Sequence, residues 1–258
     1  MKIAVSGKGG VGKTTVAALL IRHLDAAGKK ILAIDADPDA NLAAALGIPD
    51  ADRIVPIAEM KDLIFERTEA QPGTIGGFFK LNPKVDDLPE ALSAKLGNIK
   101  LMKLGGVKGG GAGCICPESA LLKALITHIT LLRDEVVVMD MEAGLEHLGR
   151  ATASAVNRLI VVVEPGRRSI ETARQVQKLA GEIKLDQISV VGNKIRGEKD
   201  ETFLREQLPD LPFDGFLAYD EALIEADLAG TSPYDTDTPL KGNIDALISR
   251  LTETAAAS

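Results

Sequence analysis

The chain has 258 residues, 45% hydrophobic and 26% charged, with a net charge of -7. That length suits one α/β core between helical layers, and an acidic balance with scattered Lys and Arg leaves no footprint for a nucleic-acid partner. No apolar run approaches a bilayer span and the start MKIAVSGKGG lacks the apolar core of a secretion signal, so no membrane partner is expected and the chain reads as cytoplasmic.

In chain order, short runs rich in Val and Ile alternate with segments of helical period. Strands are predicted at KIAVS (2–6), ILAID (31–35), NIKLMK (98–103), EVVVMD (135–140), RLIVVVE (158–164), QISVVGN (187–193) and FDGFLA (213–218). The alternation predicts a single-domain α/β fold of the P-loop type, with a mostly parallel twisted sheet and helices on both faces. From Thr14 onward Val16, Leu19, Leu20 and Leu24 form one apolar stripe, and Gly28 supplies a helix stop before the next strand. Further helices are expected over 118–132, 167–183, 220–228 and 240–252. In the last, apolar residues 244, 247, 248 and 251 at helical spacing with one arginine favour packing on the same domain over a membrane anchor. Residues 49–96, with prolines at 56, 72, 83 and 89, show no clear period. They read as an insertion over the sheet edge, a lid or interaction surface, leading into a glycine run and both cysteines within 109–119. The whole of 1–258 reads as one domain.

The run GKGGVGKT, Gly7 to Thr14, fits G-x-x-x-x-G-K-T directly between strand and helix. Its glycines let the backbone N–H groups of Gly9, Gly10, Val11 and Gly12 turn onto phosphate oxygens at a helix N-terminus. Lys13 reaches the β and γ phosphates, the Thr14 hydroxyl ligates Mg²⁺ and Thr15 contacts the α phosphate. VVVMDMEAG ends a strand at Asp140, suited to the Mg²⁺ shell, with Gly144 placed to offer its N–H to the γ phosphate. Asn193 ends ISVVGNKI, and its amide both donates to and accepts from a purine edge, although a cap or turn role stands beside that one. Where GTP-specific folds follow N-K-x with Asp, this chain has Arg196, which cannot accept guanine's N–H groups, so ATP hydrolysed to ADP is favoured. Asp39 and Glu142 are rival carboxylates with turn or helix-start chemistry as their alternative.

GGGAGCICPES, 109–119, holds Cys114 and Cys116. In an extended C-x-C both Cβ atoms point to one side, with Cα atoms about 6.7 Å apart by strand rise. Tetrahedral zinc wants its sulfurs only about 3.8 Å apart, which inward-leaning side chains allow. Two thiolates still leave the ion half coordinated. A two-fold axis beside this segment completes a Cys₄ set from two copies, and the glycines permit close approach there. Two buried thiols acting as small hydrophobes are the competing reading.

Lys8, at the second position of the loop, makes the chain resemble the deviant Walker A family, which includes division-site and partition ATPases. The stretches GGGAGCICPESALL and MDMEAGLEHLGR more closely resemble the CooC-type ATPases of that family. The resemblance implies that Lys8 reaches across a homodimer to the partner's nucleotide, that Asp35 sits near Mg²⁺, and that Asp37 orients the attacking water. It also implies a C-x-C site binding Ni²⁺ or Zn²⁺ between subunits and a nickel-enzyme client, carbon monoxide dehydrogenase. A related ATPase serves acetyl-CoA synthase, and a positioning ATPase and an iron–sulfur carrier are the remaining alternatives. FLAYDEALIEADLAG resembles the family segment that closes over adenine, with Ala218 where a proline often lies.

Overall fold

The computed structural model describes residues 1–70, 78–105, 116–133, 135–143, 155–229, 231–236 and 240–255, and among these, eight strands lie side by side. They are β1 (Lys2–Gly7), β2 (Ile31–Ala36), β3 (Ala94–Leu96), β4 (Ile99–Lys103), β5 (Val136–Met141), β6 (Arg158–Val163), β7 (Ile188–Ile195) and β8 (Phe213–Ala218). One sheet results, of order β3-β4-β2-β5-β1-β6-β7-β8. Every pairing is parallel except that of β3 with β4. The expected fold class is the one observed.

Alternation of side chains along each strand feeds two cores. Ala4, Leu32, Ile34, Val137 and Met139 belong to one, while Ile3, Val5, Ile31, Ala33 and Val138 belong to the other. Among the described residues the α-helices are α1 (Lys13–Ala26), α2 (Leu42–Ala45), α3 (Lys61–Thr68), α4 (Leu88–Leu92), α5 (Pro117–Leu132), α6 (Arg167–Glu182), α7 (Glu198–Gln207), α8 (Glu221–Ala229) and α9 (Leu240–Ala255). The first core is covered by α3, α4, α5, α6 and α7, the second by α1, α2 and α9.

Helix α1 buries Ala17, Ala18 and Ile21 as well as the expected stripe, because it packs on the sheet, on α2 and on α9 at once. It stops where Gly28 adopts φ 75°, with Gly28 N–H donating to the Asp25 carbonyl and Lys29 N–H to that of Leu24. Helix α7 escapes sequence patterning because EKDETFLREQ is polar apart from Phe203 and Leu204. Leu204 alone is fully buried there, against the sheet. Within 49–96, Ile64 of α3 and Leu88 of α4 enter the first core, and β3 adds the antiparallel edge. In α9, Ile244, Leu247 and Ile248 are buried in the second core, so this face of the tail packs on its own sheet. His23 on α1 meets Asp245 on α9 at 2.9 Å. No helix among the described residues is long and apolar enough to cross a membrane.

Candidate functional site

Because β1, β2, β5, β6 and β7 are parallel, their carboxyl ends share one edge, where an α/β sheet collects its ligand-binding residues. The loop after β1 turns there. Gly10 and Gly12 have φ of 81° and 92°, a region that side chains with a Cβ rarely occupy. A Cβ on Gly12 would also lie 2.3 Å from Nδ2 of Asn193. Gly12 is the N-cap of α1 and offers no side-chain bond, so the first-turn N–H groups of α1 have no capping partner there, and that turn carries no acidic residue. Helix dipole, backbone donors and the buried Lys13 make this an anion site.

Asp35 and Asp140 face each other in register across β2 and β5, both fully buried. Their partners differ. Asp35 accepts from the N–H of Leu42 (2.9 Å) and of Asp37 (3.4 Å), so both of its oxygens hold the turn after β2. Asp140 accepts the Thr14 hydroxyl on Oδ2 at 2.7 Å, while its Oδ1 is buried with no hydrogen-bond partner among the described residues. Burial pushes Asp35 up to about 6 and Asp140 up to about 7. An orphaned oxygen on a buried carboxylate beside a threonine hydroxyl fits a divalent cation, which would satisfy the oxygen and restore the charged form. Thr14 and Asp140 are thus the side chains best placed to hold Mg²⁺, with Asp35 adjacent.

Asp37 lies 3.4 Å from Lys13 Nζ and accepts the N–H of Asp39 at 3.0 Å. Asp39 itself is exposed. Asn193, buried at the end of β7, donates Nδ2 to the Val11 carbonyl at 2.8 Å. One of its two amide hydrogens therefore serves the phosphate loop, and the other, with Oδ1, remains to meet a base. Arg196 turns its guanidinium over the Tyr219 ring, 5.7 Å to the centroid. Lys8 lies on the loop's outer lip, 3.9 Å from Glu164. Thr15 follows Thr14 on α1.

Gly144 and Cys114 lie outside the described residues. Cys116 is a free thiol, half-buried, and is the N-cap of α5 with Pro117 following. Since α5 connects the parallel strands β4 and β5, it begins at the same sheet edge as the phosphate loop. Among the described residues no three His, Cys, Asp or Glu side chains cluster as a metal site. Sequence reasoning passed over Glu164 and Lys194, although both stood at strand ends already marked. It also missed Lys103, which ends β4 buried and donates to the Ala51 carbonyl at 2.9 Å.

The parallel sheet, the glycine loop and the paired carboxylates define a P-loop nucleotide-binding protein. A family profile described as the CobQ/CobB/MinD/ParA nucleotide-binding domain matches residues 2–234. The chain is 44% identical over 256 residues to the carbon monoxide dehydrogenase accessory protein CooC of Rhodospirillum rubrum, covering 98% of this chain and 97% of that one. An uncharacterized ATP-binding protein of Methanocaldococcus jannaschii is 44% identical over 248 residues, 95% of each chain. Among solved structures, the MinC:MinD cell division complex of Aquifex aeolicus matches with a TM-score of 0.69 at 21% identity, covering 98% and 96% of the chains. MinD complexed with Mg-ADP from Pyrococcus horikoshii matches at 0.67 and 20%, covering 98% and 97%. At such identities the structural likeness shows the fold alone. The chain belongs to the CobQ/CobB/MinD/ParA nucleotide-binding family and, within it, to the CooC-type ATPases.

Proposed function

We propose that this chain is a homodimeric, Mg-ATP-dependent metallochaperone ATPase that assists nickel insertion into carbon monoxide dehydrogenase. The observation that carries the client is the 44% identity, over nearly the whole of both chains, to a protein named for that accessory role. In this reading the N–H groups of Gly9 to Gly12, with Lys13 and Thr15, bind the phosphates, and Thr14 and Asp140 hold Mg²⁺ beside Asp35. The ion, when bound, neutralises charge on the β and γ oxygens. Asp37 orients a water whose oxygen bonds to the γ phosphorus while the bond to the β–γ bridging oxygen breaks, releasing ADP and phosphate. The Gly144 N–H faces the γ phosphate, Asn193 Oδ1 faces the purine, and Lys8 is supplied to the partner's nucleotide, a cation that completes the site only in the dimer.

Cys114 and Cys116 from two copies form the cargo site, four thiolates for Ni²⁺ or Zn²⁺. The position of Cys116 at the start of α5, on the nucleotide edge, supports coupling of that site to the ATPase cycle. The whole chain works as one domain, with 49–96 an insertion leading into the cysteine segment. Metal per protomer, measured with and without nucleotide, tests this. Half an ion per chain is expected, together with loss of metal-driven dimerisation in a C114A/C116A protein; one ion per chain refutes the shared site. A client swap in a maturation assay, carbon monoxide dehydrogenase against acetyl-CoA synthase, separates the two nickel enzymes. A liposome pull-down with ATP tests the positioning role, against which the burial of Ile244, Leu247 and Ile248 already argues.

A further inference from the structure

Strand β7 departs from regular geometry where it meets the phosphate loop. Its register with β8 shifts between Gly192 and Ile195, and Lys194 has φ 58°, a left-handed conformation that costs a residue with a Cβ. In a regular strand Asn193 and Lys194 would point to opposite faces. Here both reach the same loop: Asn193 Nδ2 donates to the Val11 carbonyl and Lys194 Nζ donates to the Gly10 carbonyl at 2.5 Å. Lys194 Nζ also donates to Glu164 Oε2, just past the end of β6, at 3.1 Å. The other oxygen of Glu164 lies 3.9 Å from Lys8 Nζ, which in turn donates to the Gly9 carbonyl at 3.3 Å. One carboxylate is thereby shared between a lysine that clamps the loop and the lysine on its lip.

We propose that Glu164 is a positioning residue for Lys8, a latch that keeps the Lys8 ammonium on its own protomer until pairing with a second copy draws it away. This rests on the reading of Lys8 as a cation supplied in trans. The arrangement suits a reversible latch. When Lys8 leaves, Glu164 keeps its shorter bond to Lys194, so no carboxylate is orphaned and the loop clamp persists. All three side chains are about a third exposed, so solvent screens the pair. Such a pair shifts an equilibrium by at most about fivefold, or about 25-fold for the two latches of a dimer. The latch therefore raises the threshold for pairing without preventing it.

The test uses the full chain with E164Q, K194M, K8A and K8A/E164Q. Specific ATPase activity is measured against protein concentration, and self-association by sedimentation with a non-hydrolysable ATP analogue. E164Q should lower the protein concentration giving half-maximal activity by between about twofold and 25-fold, with little change in KM for ATP. K194M should raise that concentration, because Glu164 then belongs to Lys8 alone, and should raise KM through loss of the clamp. A general packing defect would move both variants in one direction. In the K8A background E164Q should leave association unchanged. An equal shift with and without Lys8, or no shift in either, overturns the latch. If E164Q does not fold, the sign of the K194M shift decides. If wild-type activity does not depend on protein concentration and K8A retains full activity, the trans reading falls and the latch with it; concentration dependence with an inactive K8A but an unaltered E164Q removes the latch alone.

Discussion

Thr14 donates its hydroxyl to Asp140 Oδ2 at 2.7 Å, joining the first turn of α1 to the carboxyl end of β5 and leaving Asp140 Oδ1 buried without a partner among the described residues. An acceptor left this way is stable only if something cationic or protic meets it. D140N replaces that acceptor pair with a neutral amide. Mg²⁺ should then no longer tighten nucleotide binding, and ATPase activity should fall on the order of 100-fold or more. Nucleotide titration by calorimetry with and without Mg²⁺ checks the first effect.

The raised Asp140 carboxyl has a consequence for stability. Its folded value of about 7 lies above the ordinary 3.8, so the folded chain holds the proton more tightly than the unfolded chain. This contribution is complete below about 4 and is lost as the pH rises through about 7. Metal-free protein should melt at progressively lower temperature from pH 5.5 to 8, and D140N should flatten that slope. The residual slope below pH 6 belongs to Asp35. Saturating Mg²⁺ should oppose the loss at the alkaline end, where the carboxylate is free to bind it.

Gly12 couples the phosphate loop to β7 through space that a side chain would fill. G12A places a Cβ against Asn193 Nδ2 on a backbone at φ 92°. The strain of a residue with a Cβ in that region is about 1–2 kcal/mol before any clash. ATP affinity should drop at least tenfold while the sheet remains folded, checked by fluorescent-nucleotide binding alongside circular dichroism.

Arg158 on β6 and Asp214 on β8 form a buried pair at 3.3 Å across β7, and Ser189 adds its hydroxyl to Asp214. The Arg250 guanidinium of α9 donates to the Asp214 carbonyl, tying the tail to the same strand. Removing one partner of such a pair leaves a buried charge uncompensated, at a cost of about 3–5 kcal/mol. D214A should lose stability of that size in equilibrium denaturation. Replacing both members with apolar residues of similar volume should recover much of it.

Five of the parallel strands, β1, β2, β5, β6 and β7, were legible as runs carrying Val or Ile that the sheet buries on both faces, and β4 and β8 as short apolar runs, IKLMK and FDGFLA. β3 was not. Ala94 to Leu96 is three residues long, with Lys95 exposed and the other two half-buried, and becomes a strand only by pairing antiparallel to β4. α7 was missed for a related reason: a helix that buries one leucine carries almost no periodic signal. The phosphate loop was readable residue by residue because its chemistry is local, a glycine-rich turn followed directly by a helix N-terminus. The different duties of Asp35 and Asp140 were not readable, since both end apolar strands with identical chemistry. Their distinction arises only from the turn that engages Asp35 and the threonine that engages one oxygen of Asp140.

By itself, then, the amino-acid order determined the parallel strands, the helices with an apolar stripe, the anion-binding turn and the placement of two thiols one residue apart, all features that depend on neighbours within a few positions. Tertiary structure alone decided which oxygen of which carboxylate is left for a cation, that Asn193 and Lys194 grip the phosphate loop, and that Glu164 stands between Lys194 and Lys8. The reason is that parallel strands bring residues together by register across the sheet, and no local period in a chain encodes which strand ends will meet.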